Sequence, residues 1–125
     1  MSHITTVSTK IVLKNEQMIK NALTVMSKQF EGMTFQKMDE STIMVRYAKI
    51  ENYQTHGNLR FIKNPAGIWE MQLDTWMCDA EIAKVREAFF VQYQTAAVSS
   101  YLAQKGYSTT KKNDGKNVIL SAVRY

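Results

Sequence analysis

Residues whose chemistry could carry a reaction are sparse in this chain, and their spacing does not bring them together. His3 leads an extended run near the start and could place an imidazole at a sheet end. General acid–base work needs a group that orients the ring and a nucleophile or metal beside it, and neither stands at a readable spacing. His56 falls in a polar stretch, Asn52 to Asn58, with no second His, Cys or carboxylate at metal-ligand spacing. Cys78 precedes a helix start, whose dipole favours a thiolate, while Asp74 and Asp79 oppose ionisation. A small apolar filler is the competing reading of this thiol. Asp74, Asp79 and Glu81 suit a carboxylate cluster, or a cap and dipole complement at that same helix start. The glycines, at 32, 57, 67, 106 and 115, each adjoin a turn or helix end and build no phosphate loop. Ser99 and Ser100 lie inside a helix, where a strained nucleophile elbow does not form. The residues therefore point to no catalytic, cofactor or metal site and to a chain that is not an enzyme.

The asymmetric feature is cationic. From Lys105 to the end, Lys105, Lys111, Lys112, Lys116 and Arg124 face one acid, Asp114, and Tyr107 and Tyr125 stand among them. Cations beside aromatic rings suit nucleic acid, the first meeting phosphates and the second stacking on bases. Lysines on a hairpin also keep exposed strand edges from pairing with other chains, which is the bland reading of the same charges. The net charge of +5 and pI near 9.4 permit an anionic partner without demanding one.

The elements that position these residues follow from periodicity. Asp79 to Gly106 carries Ile82, Val85, Phe89, Tyr93 and Ala96 at helical spacing, then a shifted stripe of Ala97, Val98, Tyr101 and Leu102. The pattern predicts a long helix with Asp79 as its cap and Gly106 as the left-handed stop. Before it, His3 to Leu13 is rich in β-branched residues and reads as a strand. Asn15 caps a helix over Glu16 to Phe30 that ends at Gly32. Met33 onward alternates with period two, breaks at Asp39–Ser41, and resumes through Ile43, Val45 and Tyr47. Leu59 to Lys63 and Ile68 to Trp76 flank a turn at Asn64–Gly67, and Trp69, Met71, Leu73 and Thr75 share one strand face. Tyr107 to Lys112 and Asn117 to Tyr125 flank a turn at Asn113, Asp114 and Gly115. The order β-α-β-β-β-β-α-β-β predicts an α+β domain, a mainly antiparallel sheet covered by two helices. Its core should contain Phe35, Ile43, Val45, Trp69, Leu73, Ile82, Val85, Phe89 and Leu102.

At 125 residues, with 45% hydrophobic and 10% aromatic content, the chain is the size of one domain, residues 1–125. It has no apolar window of membrane-spanning length, no basic-then-apolar leader and a single cysteine, which together predict a soluble cytoplasmic protein.

The ends of the chain resemble the family known as hypothetical chloroplast reading frame thirty-five, with plastid, cyanobacterial, bacterial and phage members. Met1-Ser2-His3 and Thr9-Lys10-Ile11 carry the resemblance at the start. Tyr93, Val98, Leu102, Gly106 and Tyr107, then Gly115, Val118, Leu120, Arg124 and Tyr125, carry it at the end. The middle, Asp39 to Trp76, does not align, and Ile4 stands where the family usually has an aromatic. The resemblance makes His3 more interesting than its surroundings do, but brings no agreed catalytic residues. It implies a small accessory protein, some relatives being encoded beside an AAA-type ATPase. Two functions follow for testing: a non-catalytic adaptor that binds a larger protein, its eight methionines offering an adaptable contact surface, or a basic module that binds nucleic acid through the C-terminal hairpin.

Overall fold

The structure, a computed structural model, describes residues 4–6, 12–50, 59–74, 79–114 and 117–124. These form β1 (Ile4–Thr6), α1 (Glu16–Gln29), β2 (Thr34–Asp39), β3 (Thr42–Arg46), β4 (Leu59–Lys63), β5 (Trp69–Asp74), α2 (Asp79–Gln104), β6 (Tyr107–Asp114) and β7 (Asn117–Arg124). The α+β class and the element order agree with the sequence reading. One sheet has the order β1-β5-β4-β3-β2, every pair antiparallel; β6 and β7 form a second, two-stranded ribbon of their own.

Local chemistry sets the boundaries. Asn15 caps α1, its Oδ1 accepting from the Met18 amide at 3.0 Å, and the helix buries Ile19, Ala22, Leu23 and Met26 along one stripe. Such a cap satisfies one of the amides that a first helical turn leaves unpaired. The β4–β5 turn is held by Asn64, whose Oδ1 accepts from the amides of Ala66 and Ile68 at 2.9 and 3.1 Å. Of the expected first strand, His3–Leu13, the described residues Ile4–Thr6 pair with β5 and Leu13 forms an isolated bridge to Trp69, while His3 and residues 7–11 lie outside the described residues. The polar stretch 52–58 and the end of the expected strand at 75–76 lie outside them as well.

Period-two alternation sends Ile43, Val45, Leu59, Phe61, Trp69, Met71 and Leu73 to one sheet face, where α1 and α2 cover them. Phe61 meets Phe89 of α2 at 4.7 Å between ring centroids, and Phe89 in turn stacks on Tyr93 at 5.9 Å. The other face mixes Met44 and Ile62 with Arg60, Glu70 and Gln72, all half-buried, and Arg60 Nε donates to Gln72 Oε1 at 2.8 Å across β4 and β5. One fully buried face and one more polar face is the ordinary state of an antiparallel sheet, and explains the alternating sequence. Two members of the expected core stop short of burial: Phe35, on edge strand β2, and Leu102, near the end of α2, are half-buried. Neither position has a covering layer on every side. Glu16, at the start of α1, ties that helix to the sheet edge, accepting from Lys37 at 3.1 Å and pairing with Lys20 at 3.1 Å. Hydrogen bonds from Lys37 first and Lys20 second hold the Glu16 carboxyl below its ordinary pKa, and the same contact raises that of Lys37.

Candidate functional site

The helix α2 is 26 residues long and reaches past the sheet, so its last turns need another cover. The ribbon is that cover. At the helix end Gly106 takes φ +86°, a left-handed conformation that side-chained residues rarely adopt, and its amide donates to the Ala103 carbonyl at 3.1 Å. The chain reverses there and β6 runs back along α2. Ser99 and Thr109 hydroxyls bond at 2.7 Å, and further along the Lys111 ammonium donates to Gln92 Oε1. Two strand residues advance about 6.7 Å and seven helix residues about 10.5 Å, so only a long side chain at position 111 spans the difference. Gln92 is 4% exposed, the buried polar residue of the core.

This geometry divides the basic segment that the sequence placed together. Lys111 is turned to α2, and its ammonium, desolvated there, sits below the ordinary lysine pKa. Lys112, the next residue in the strand, is the register partner of Ile119. Lys111 therefore has its ammonium engaged with Gln92, apart from the groove that Lys105 and Tyr107 line. The expected turn also shifts. Asn113 and Asp114 belong to β6, with Asp114 opposite Asn117, and the connecting residues 115–116, Lys116 among them, lie outside the described residues, as does Tyr125.

Three of the predicted residues do converge at the root of the ribbon. Lys105 follows α2, Tyr107 opens β6, and Arg124 is the register partner of Tyr107. Tyr107 and Lys105 line an open groove with Leu102 and Tyr101, and the Lys105 ammonium lies 5.7 Å over the Tyr101 ring centroid. Tyr101 is 59% exposed. A cation held over a ring is an attraction of about 0.5–1 kcal/mol at an exposed site, and it leaves a flat apolar surface with a positive rim for a partner. Sequence reasoning missed Tyr101 as a site residue by assigning it to a packed stripe, although its spacing from Lys105 is one helical turn.

The other candidates separate. His3, His56 and Cys78 lie outside the described residues. Asp79 is the first residue of α2, and Glu81 pairs with Lys84 at 3.4 Å on the helix surface. Ser99 spends its hydroxyl on Thr109. Among the described residues no three His, Cys, Asp or Glu side chains gather in a way that could hold a metal, and no helix is long and apolar enough to cross a membrane. No family model, no curated protein and no solved structure matches the chain.

Proposed function

We propose that this chain is a non-catalytic accessory domain that docks a larger protein through the outer side of α2's last turns and the adjoining root of the ribbon. The observation that carries the reading is the pairing of Val98 and Tyr101, apolar residues one turn apart that stand 42% and 59% exposed next to the Lys105–Tyr107 groove. Helix residues three apart share a face, so the two form one patch instead of two stray exposures. The resemblance of the chain's ends to accessory proteins encoded near AAA-type ATPases makes such an ATPase the first partner to try. A photo-crosslinking residue placed at Tyr101, with a control at Gln36 on the exposed edge strand, tests the reading in native cells. Selective capture of one protein at Tyr101 is the expected result. Equal capture at both positions, or none at either, removes it.

Nucleic acid is the second reading, favoured by the groove that Lys105 and Tyr107 line beside the exposed Tyr101 ring, with Arg124 the register partner of Tyr107 in the ribbon. If these cations contact phosphates, Lys105→Gln makes the log–log salt slope shallower by roughly 0.9 on duplex DNA or about 0.7 on single strands. Binding absent at low salt ends this reading, and an apolar protein interface responds little to the same salt series.

A further inference from the structure

Between α1 and the middle of α2, beneath β6, lies a cavity of about 190 Å³. Much of its wall is apolar, built from Ala22 and Val25 of α1 and Ala96 of α2. Its polar groups differ in what they have left to offer. Thr95 spends its hydroxyl proton on the Val91 carbonyl at 2.6 Å, and Ser99 is occupied with Thr109 at 2.7 Å. Asn21 Oδ1 accepts from Gln17 at 2.9 Å, and Gln92 Oε1 accepts from Lys111. Each of these oxygens already has one partner, and the protons still unplaced are those of Gln92 Nε2, which meets no acceptor among the described residues although Gln92 is only 4% exposed, of the exposed Asn21 Nδ2, and of the Lys111 ammonium. No carboxylate among the described residues pairs with Lys111.

A buried amide N–H without an acceptor and a partly desolvated ammonium without a counter-ion are both costly, and one anion between them relieves both. The apolar wall then decides which anion. Phosphate or sulfate would set charged oxygens against Val25 and Ala96, whereas a carboxylate uses the donors and lays its alkyl tail along those side chains. Size agrees, since a cavity of about 150 Å³ accommodates benzene and this one suits about six to eight heavy atoms. We propose that the cavity binds a small monocarboxylate, its head between Lys111 Nζ and Gln92 Nε2 and its short tail against Val25 and Ala96. Because Lys111 belongs to β6 and Gln92 to α2, the bound carboxylate joins the ribbon to the helix and reinforces the tether at Ser99–Thr109.

The test uses the full chain, labelled with nitrogen-15 and titrated with hexanoate while the side-chain amide of Gln92 is followed by NMR. Saturable shifts of that amide are expected, with hexanol binding about tenfold more weakly or worse for want of charge. Lys111→Gln, whose fold is checked by the backbone dispersion of the same spectra, is expected to weaken hexanoate by a similar factor. Ala96→Leu fills the cavity and should abolish binding; if that variant does not fold, the Lys111→Gln titration decides. Absence of saturation by hexanoate in the wild-type protein overturns the proposal, as does undiminished binding in Lys111→Gln. Inorganic phosphate shifting the Gln92 amide as strongly as hexanoate overturns the assignment to a carboxylate.

Discussion

From Ile82 to Tyr93 the apolar residues at helical spacing on α2 are at most 4% exposed, whereas Val98 and Tyr101, a few turns later on the same helix, stand 42% and 59% exposed. The first segment packs on a five-stranded sheet and on α1; the second is covered on one side only, by a two-stranded ribbon. A ribbon of two strands is barely stable alone, so it cannot offer the helix the deep burial that the larger sheet provides. The difference teaches that similar apolar spacing can be core in one place and contact surface in another, depending on what the chain supplies opposite it. Near Phe89 that is Phe61; near Tyr101 it is Lys105 and open solvent.

The contrast can be broken by mutation. Phe89→Ala should lower unfolding free energy by about 3–5 kcal/mol, since it removes a fully buried ring in contact with Phe61 and Tyr93; urea unfolding reads it directly. A cost below about 1 kcal/mol would move Phe89's face out of the core. Asn15→Ala, which deletes the cap of α1 on the core side, should cost about 1 kcal/mol in the same assay. Ser99→Ala cuts a ribbon tether and should cost about 0.5–1.5 kcal/mol, with hydrogen exchange quickening in β6 and β7 before the main sheet. Uniform quickening across both sheets would show that the ribbon unfolds with the rest. Tyr101→Ala should change stability by less than about 0.5 kcal/mol while weakening partner capture, the reverse of Phe89→Ala.

The smallest expected effect is one of pH. The Glu16 carboxyl is held below its ordinary pKa, so its contribution is complete above the ordinary carboxylate range and is lost as pH falls through the lowered value. Lys37 works at the opposite limit, its contribution complete below the ordinary lysine range and lost as pH rises through its raised value. Glu16→Gln should therefore flatten the acid limb of the melting temperature against pH, with wild type and variant converging in strong acid. Parallel acid limbs would show that the contact of α1 with β2 contributes nothing.

The element order, the Asn15 cap and the Asn64 turn were legible because each rests on a short stretch of chain whose residues decide it among themselves. Phe35, which packs against the core from an edge strand, and Leu102 are half-buried where the stripe predicts burial, because burial depends on what lies opposite and a stripe alone does not show that. The separation of β6 and β7 from the main sheet has the same origin, as nothing in their alternation says which strand they neighbour. Lys111 is different. Its parity with Thr109 places both on one face of β6, a signal that the sequence contains and that a count of lysines conceals. Gln92 likewise announces itself as a polar residue three positions after Phe89 in an apolar stripe.

The pairing of β1 with β5 has a consequence for how the chain is made. The hairpins β2–β3 and β4–β5 and the ribbon each close between neighbours in sequence, but α1 and three strands intervene before β1 meets its partner. Such a contact bears the loop-closure entropy of the whole intervening segment. During synthesis β1 therefore waits through the translation of α1, β2, β3 and β4, its backbone groups hydrogen-bonded to water until Trp69–Asp74 has emerged. The sheet edge at β5 is completed only after the rest of the sheet has been translated, so β1 is fastened to a sheet whose other strands can already have paired.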